Sequence, residues 1–373
     1  MDGTDTKVAG ARWPWADAHS LDERFESLQY LIGDTPLVEI RARWKGVECR
    51  VFAKHEAGSF TGSIKDRMAL HILRQAHAHG EVQPGACIIE ASSGNTGIAI
   101  AGIGRALGHP VRIYMPDWMS KERLLLMEGM GAEVVGVSKE QGGFVGSIAM
   151  AEAEAERRSD AFLPRQFANQ ANTEAHRLTT GPELLVQMRD AGFEPAAFVA
   201  GVGTGGTVMG VGAYLRDHVD GVKVHPLEPA NSPTMRTGTR VGTHRIQGIS
   251  DEFVPEIVDL EGLDEIVDVW DGDAILMAQR LAAQLGLALG ISSGANLLGA
   301  LQVAAGLGDG ASVATVFPDC NKKYLSTDLC REEPVREEYM TPSVELLGVS
   351  ILPRAGVDRI RAEVGRKPLS TRS

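Results

Sequence analysis

Short apolar runs alternate with helix-patterned stretches along most of this chain. That alternation restricts its fold more than any other feature. The strand-like runs lie at residues 51–53, 87–89, 111–115, 133–137, 198–200, 222–224, 266–270 and 312–317. Helical patterns lie between them. Ser120 stands as a cap before residues 121–128, residues 144–158 carry Ala and Glu at helical spacing, and residues 274–285 are amphipathic and rich in helix formers. Ser20 and Glu23 have the spacing of a capping box for a short early helix. The alternation predicts an α/β fold of mainly parallel sheets covered by helices. A chain of 373 residues has room for one large domain or two ordinary ones.

Composition narrows the class of activity. A net charge of −12 argues against a nucleic-acid surface and for a soluble metabolic protein. No apolar run approaches the roughly 20 residues needed to span a bilayer, so no membrane is expected. The opening Met1-Asp-Gly-Thr-Asp-Thr6 has neither a basic start nor an apolar segment, which predicts a cytoplasmic location without a signal peptide. Cys49, Cys87, Cys320 and Cys330 show no C-x-x-C spacing, so a disulfide scaffold and a zinc site are both poor readings. His77 and His79 are two apart on a helical pattern and read as a solvated face, not as metal ligands. His176 reads as a helix-surface or packing residue, and residues 151–156 as a solvated acidic helix.

Three stretches carry chemistry. In the first, Thr61-Gly-Ser-Ile-Lys-Asp-Arg67, Lys65 stands at a loop-to-helix junction. Such a lysine is either an ordinary surface lysine or an amine able to form a Schiff base with an aldehyde cofactor. The second, Glu90-Ala-Ser-Ser-Gly-Asn-Thr-Gly97, follows an apolar run and opens a long run of small residues. Its hydroxyls, amide and backbone N–H groups at a helix start suit a carboxylate. The third is Gly201-Val-Gly-Thr-Gly-Gly-Thr207, between an apolar run and a helix. Its glycines allow close backbone approach to an anion at the positive end of that helix. It does not match G-x-x-x-x-G-K-[ST], so a Walker loop is a poor reading, and it reads as a monophosphate cradle. An amine, a carboxylate cup and a monophosphate cradle together point to pyridoxal phosphate acting on an amino acid.

With these motifs in place, the chain resembles cysteine synthase-type enzymes, the O-acetylserine sulfhydrylases and cystathionine β-synthases. These belong to the tryptophan synthase β family of fold type II pyridoxal-phosphate enzymes. Matching pieces run in the family's order over residues 31–330. They include Gly33-Asp-Thr-Pro-Leu37, Gly62-Ser-Ile-Lys-Asp-Arg67, Ser93-Gly-Asn-Thr-Gly97, Gln166-Phe-Ala-Asn169, Thr180-Gly-Pro-Glu183, Gly203-Thr-Gly-Gly-Thr207, Glu228-Pro229 and Gly290-Ile-Ser-Ser-Gly294. Asp319 with Tyr324-Leu-Ser-Thr327 completes the set.

The resemblance implies two α/β domains with mainly parallel twisted sheets and the cofactor in the cleft between them. On that basis residues 1–30 form an N-terminal arm, 31–170 an N-terminal domain whose early segment crosses to the second, 171–330 the C-terminal domain, and 331–373 an extension. The apolar run at 344–352 suggests that the extension docks on the body. A homodimer is implied as well.

The resemblance also implies roles. Lys65 holds the cofactor aldehyde as an internal aldimine and later takes the Cα proton. Gly203, Thr204, Gly205, Gly206 and Thr207 bind the phosphate. Asn95 bonds the ring hydroxyl. Ser92, Ser93, Thr96, Gln166, Gly248 and Asp251 line the substrate side, with Ser92 where the family commonly has Thr. Ser292, with Ser293 as the alternative, meets the pyridine nitrogen. A serine there leaves that nitrogen neutral, which suits β-elimination and β-replacement better than racemisation or transamination.

The implied reaction binds an O-activated L-serine, O-acetylserine or O-phosphoserine, expels its leaving group and adds a sulfur nucleophile to the aminoacrylate. Cysteine or a related β-substituted alanine results. Alternatives are a cysteine lyase releasing sulfide, a specialised synthase using another small nucleophile, and a catalytically weak regulatory partner. Two departures bear on the substrate. The family's Asn-Pro before the lysine is absent from Ala57-Gly-Ser-Phe-Thr-Gly62, and Gln247-Gly-Ile-Ser-Asp-Glu-Phe-Val-Pro255 places Asp251 and Glu252 in a loop that is usually small and glycine-rich. These carboxylates would repel an anionic donor, serve as a base for water, pair a cationic nucleophile, or face solvent.

Overall fold

The structure is a computed structural model that describes residues 19–250 and 252–365. Trp13, Trp15 and Asp251 lie outside the described residues. The chain divides into two compact units. One is Leu73–Pro164 with the segment up to Leu31, and the other is Ile32–Ile72 with the chain from Arg165 onward. The described residues hold eleven strands. In chain order they are β1 (Leu37–Trp44), β2 (Val47–His55), β3 (Cys87–Ala91), β4 (Val111–Pro116), β5 (Glu133–Val137), β6 (Ala161–Phe162), β7 (Ala197–Gly201), β8 (Lys223–Pro229), β9 (Val267–Val269), β10 (Ser312–Phe317) and β11 (Glu345–Leu352).

The smaller unit carries a four-stranded parallel sheet in the order β5-β4-β3-β6. All five residues of β3 are buried, as expected of a parallel strand covered on both faces. The helix Asn95–Leu107 lies close above it because its small residues permit contact. A Cβ on Gly104 would stand 2.7 Å from Val111 Cγ2. The helix Leu21–Gln29 opens with the predicted capping box of Ser20 and Glu23 and buries Phe25 and Leu28.

The larger unit is built on a seven-stranded sheet in the order β11-β1-β2-β10-β7-β8-β9. Strand β1 runs antiparallel to both neighbours, and β2, β10, β7, β8 and β9 run parallel. The two-residue period of the strands sorts side chains onto two faces. Val51, Ala53, Val199 and Val313 join a core with the helices Asp271–Leu285 and Ile291–Leu307. Phe52, Phe198, Ala200 and Ala314 join a core on the other face with Gly181–Asp190 and Gly206–His218. The apolar run near the C-terminus is an edge strand, pairing Leu37 with Leu352 and Val38 with Ile351.

Every apolar run read as a strand contributes to one. Several local readings need correction. Ser120 precedes the helix Lys121–Gly129 without a side-chain capping bond. Residues 170–172 do not precede a helix but begin one, Gln170–Ala175, capped by the Asn169 side chain on Ala171 N–H. His77 is not on a solvated face, since its Nε2 lies 2.9 Å from His109 Nε2. Glu154 of the acidic run is buried and bonded to Tyr114 and Arg112. Among the described residues no helix is long and apolar enough to cross a membrane.

Candidate active site

In the larger unit the parallel strands deliver their carboxyl ends to one edge of the sheet, where open α/β sheets bind ligands. From the end of β2 a short turn leads to Lys65, the first residue of the helix Lys65–Ala78. Gly62, at φ +82°, makes the bend that a Cβ-bearing residue adopts with strain. Ile64 N–H donates to Pro318 O at 2.9 Å, which ties this loop to the end of β10.

The residues after Lys65 are anchored. Asp66 is buried and accepts from Thr61 N–H at 2.7 Å and from the Thr61 hydroxyl. Burial pushes its carboxyl pKa up against those bonds. Arg67 donates to Glu56 and to Glu183, both at 2.7 Å, and Lys54 meets Glu183 at 2.8 Å. Burial alone would raise the Glu183 pKa, but Arg67 and Lys54 outweigh it and hold this carboxylate far below its ordinary value. Lys65 itself is half-buried between these fixed neighbours.

From the end of β7 the chain enters the glycine loop and then the helix Gly206–His218. The glycines are sterically required. Gly205 has φ +89°, a Cβ on Gly203 would lie 2.3 Å from Gly248 O, and one on Gly206 would lie 2.0 Å from Asn172 Oδ1. Buried Asn172 braces the loop, donating from Nδ2 to Thr204 Oγ1 at 2.8 Å and to Gln166 O at 2.9 Å. The loop thus presents hydroxyls and first-turn N–H groups at a helix N-terminus, the donor set that suits a phosphate.

Ser292 and Ser293 lie in the first turn of Ile291–Leu307, and both are buried. The Ser293 hydroxyl has no partner among the described residues. This helix is held at the same sheet edge by two bonds. Asn296 Oδ1 accepts from Gly201 N–H at 2.8 Å, and Gly290 N–H donates to Asp319 O at 3.2 Å. Lys65, the glycine loop and the Ser292–Ser293 turn are therefore gathered at one end of one sheet. Gln166 is buried, and Gly248 has φ +90°. Glu252 does not stand free in solvent, because Arg240 Nη1 lies 3.2 Å from it.

In the smaller unit Ser92, Ser93, Asn95 and Thr96 form the turn from β3 into the helix Asn95–Leu107. Ser92 and Thr96 are buried, Ser93 and Asn95 half-buried. Ser92 Oγ accepts from Gly94 N–H at 3.1 Å and Gly97 N–H at 2.8 Å, so it caps the helix and shapes the turn. Sequence reasoning missed Arg123, which is 2% exposed and packs beneath this turn. A Cβ on Gly94 would stand 2.8 Å from its Nε. It also missed Asn172, whose brace on the glycine loop has no local pattern.

The profile of the family described as pyridoxal-phosphate dependent enzymes matches residues 28–319. The chain belongs to the pyridoxal-phosphate-dependent enzyme family. Within that family it is 40% identical over 299 residues to a probable cysteine synthase of Bacillus subtilis, a match spanning 80% of this chain and 96% of the relative. Among solved structures, a hydrogen sulfide-producing enzyme of Fusobacterium nucleatum is 50% identical with a TM-score of 0.86, covering 89% of this chain and 99% of that one. A cysteine synthase of Entamoeba histolytica is 32% identical with a TM-score of 0.76, covering 92% and 97%. The expected α/β fold, fold type II membership and pyridoxal phosphate dependence thus hold for this member of the family.

Proposed function

We propose that the protein catalyses β-replacement on an O-activated L-serine with a sulfur nucleophile, forming cysteine or a related β-substituted alanine. One observation carries the reading. A lysine, a glycine cradle that suits a phosphate and a serine-bearing helix start share one end of the parallel part of one sheet. When bound, pyridoxal phosphate supplies an electron sink for charge developing at the substrate Cα.

The chain's own residues do the rest. Residues 203–207 hold the phosphate through backbone N–H groups and threonine hydroxyls. Lys65 Nζ is the amine that would hold the cofactor aldehyde, and as a free amine it would carry the Cα proton of the substrate. Ser292 offers the pyridine nitrogen a hydroxyl, which leaves it neutral and favours loss of a β-leaving group. Ser92, Ser93, Thr96 and Gln166 orient the substrate carboxylate, and Asn95 bonds the ring hydroxyl. On the resemblance, Gly248 and Asp251 are proposed to serve the substrate.

A second reading, release of sulfide from cysteine, is favoured by the 50% identity to a hydrogen sulfide-producing enzyme. One experiment separates them. The purified protein with pyridoxal phosphate is given O-acetylserine or O-phosphoserine with sulfide, or cysteine alone, and products are followed by mass spectrometry. Faster cysteine formation supports replacement, faster sulfide release the lyase, and no turnover in any mixture overturns both. The resemblance to cysteine synthases also supports a cytoplasmic homodimer, which light scattering of the purified protein tests for assembly.

A further inference from the structure

His176 is a buried titratable group that the proposed mechanism does not use. It is 1% exposed and opens a single π-helical turn, His176–Thr180, between the helices Gln170–Ala175 and Gly181–Asp190. Single π-turns are uncommon and frequently mark functional positions. This one is pinned on both sides by glycine contacts. A Cβ on Gly210 would stand 2.8 Å from His176 Cβ and 2.2 Å from Thr173 O, and one on Gly181 would stand 2.8 Å from Tyr214 Cβ. The imidazole is therefore fixed relative to the helix Gly206–His218. Its Nδ1 lies 2.9 Å from Thr180 Oγ1, and its Nε2 lies 3.4 Å from Thr207 Oγ1.

We infer that His176 is a positioning residue for the cofactor phosphate. It acts by donating from Nε2 to Thr207 Oγ1, which commits the Thr207 proton to a phosphate oxygen. The inference rests on the reading of residues 203–207 as the phosphate cradle.

Proton bookkeeping selects this arrangement. A neutral imidazole has one N–H, and the nitrogen that carries it decides what each threonine can do. With the proton on Nε2, Thr180 donates to Nδ1, and Thr207 accepts from His176 and still has a proton to give. With the proton on Nδ1, Thr207 must donate to His176 and turns only lone pairs toward an anion, which repels a phosphate. A phosphate at this helix start therefore stabilises the Nε2–H form. Burial, reinforced by the positive charges of Lys65 and Arg67 and opposed by Glu183, pushes the His176 pKa far down, which keeps the ring neutral.

The test is a double-mutant cycle on the holoenzyme with Thr207→Val and His176→Leu. It reads cofactor affinity by absorbance after dialysis and the 31P resonance of the bound phosphate. Thr207→Val should weaken cofactor binding roughly ten- to a hundredfold, as for loss of one hydrogen bond to a charged group. His176→Leu should weaken it similarly and shift the same resonance. The double variant should be no worse than either single one. His176→Gln, which restores an N–H donor, should recover most of the affinity. Circular dichroism of the cofactor-free variants checks that they fold. If Thr207→Val leaves affinity and resonance unchanged, the cradle reading falls and this inference with it. If Thr207→Val weakens binding but the effects of the two changes add, or His176→Gln fails to recover, only the role of His176 is overturned.

Discussion

Lys65 is the residue on which the proposed chemistry turns, and its neighbours show why it can be replaced safely. Asp66 and Arg67 carry the buried bonds that anchor the helix start, while Lys65 is half-buried between them. Lys65→Ala should abolish turnover and leave the thermal unfolding midpoint within a few degrees. Retained turnover together with a retained visible absorbance band would remove Lys65 from its role. Ser292→Asp tests the electronic argument. A carboxylate at this helix start would favour a protonated pyridine nitrogen. β-Replacement kcat should fall by about tenfold or more, roughly 1.4 kcal/mol in the barrier. An unchanged kcat would move the contact to Ser293, the fully buried neighbour whose hydroxyl has no partner among the described residues. Both candidates were legible as residue types at the right spacing. The contacts of Asn172 with Thr204, of His176 with Thr207 and of Arg123 with the Gly94 turn were not. Each depends on a segment far along the chain, and nothing in the local pattern marks a buried polar residue as a brace.

The elements were legible where burial is two-sided. β3, β7 and β10 are short apolar runs because both faces of a parallel strand are covered. β1 was missed because Glu39, Arg41 and Arg43 break its apolar pattern, and the two-residue β6 is too short to leave one. The helix Lys65–Ala78 hides another long-range event, since His77 on its last turn meets His109 across the loop that follows Asn95–Leu107.

His109 Nδ1 lies 2.8 Å from Ala86 O, so the pair can share hydrogens only while at least one ring is neutral. Burial, then the nearby His109 and Arg24, lower the His77 pKa from 6.5 to about 4. The unfolded imidazole therefore binds a proton as pH falls through 6.5, whereas the folded one resists until about 4. Stability from this group is fully present above that window and is lost as pH falls through it. The urea midpoint should drop between pH 7 and pH 5, and His77→Gln should flatten that dependence. An equally steep profile in the variant would assign the acid sensitivity to other groups.

At the scale of the whole chain, the part beyond the family match is built into the larger sheet. β11 pairs with β1 over its length, so the sheet edge that β1 would otherwise expose is covered. The loop behind β11 reaches further in. Gln187 Nε2 donates to Pro353 O at 2.7 Å while Gln187 Oε1 accepts from Lys54, the partner of Glu183. Gly356 N–H donates to Asp34 Oδ1 at 2.9 Å, and Asp34 N–H donates to the same Glu183. Glu183 in turn holds Arg67, two residues from Lys65. A chain ending at Ser343 would lose the edge strand and both docking bonds, leaving Leu37, Val38 and Ile40 on an open strand edge. Unpaired edges of that kind recruit other edges. The loss of a strand, two hydrogen bonds and the apolar area they cover should cost at least about 3 kcal/mol, which at roughly 2–4 °C per kcal/mol lowers the unfolding midpoint by about 6–12 °C. The shortened protein should also form larger species by light scattering at concentrations where the full chain does not. Asp34→Ala, which removes one docking bond and keeps the strand, should show a fraction of the midpoint loss and no self-association. A shortened chain with an unchanged midpoint and unchanged mass would make the extension a passenger on the sheet, and the long-range path from Pro353 to Arg67 would then carry no stability.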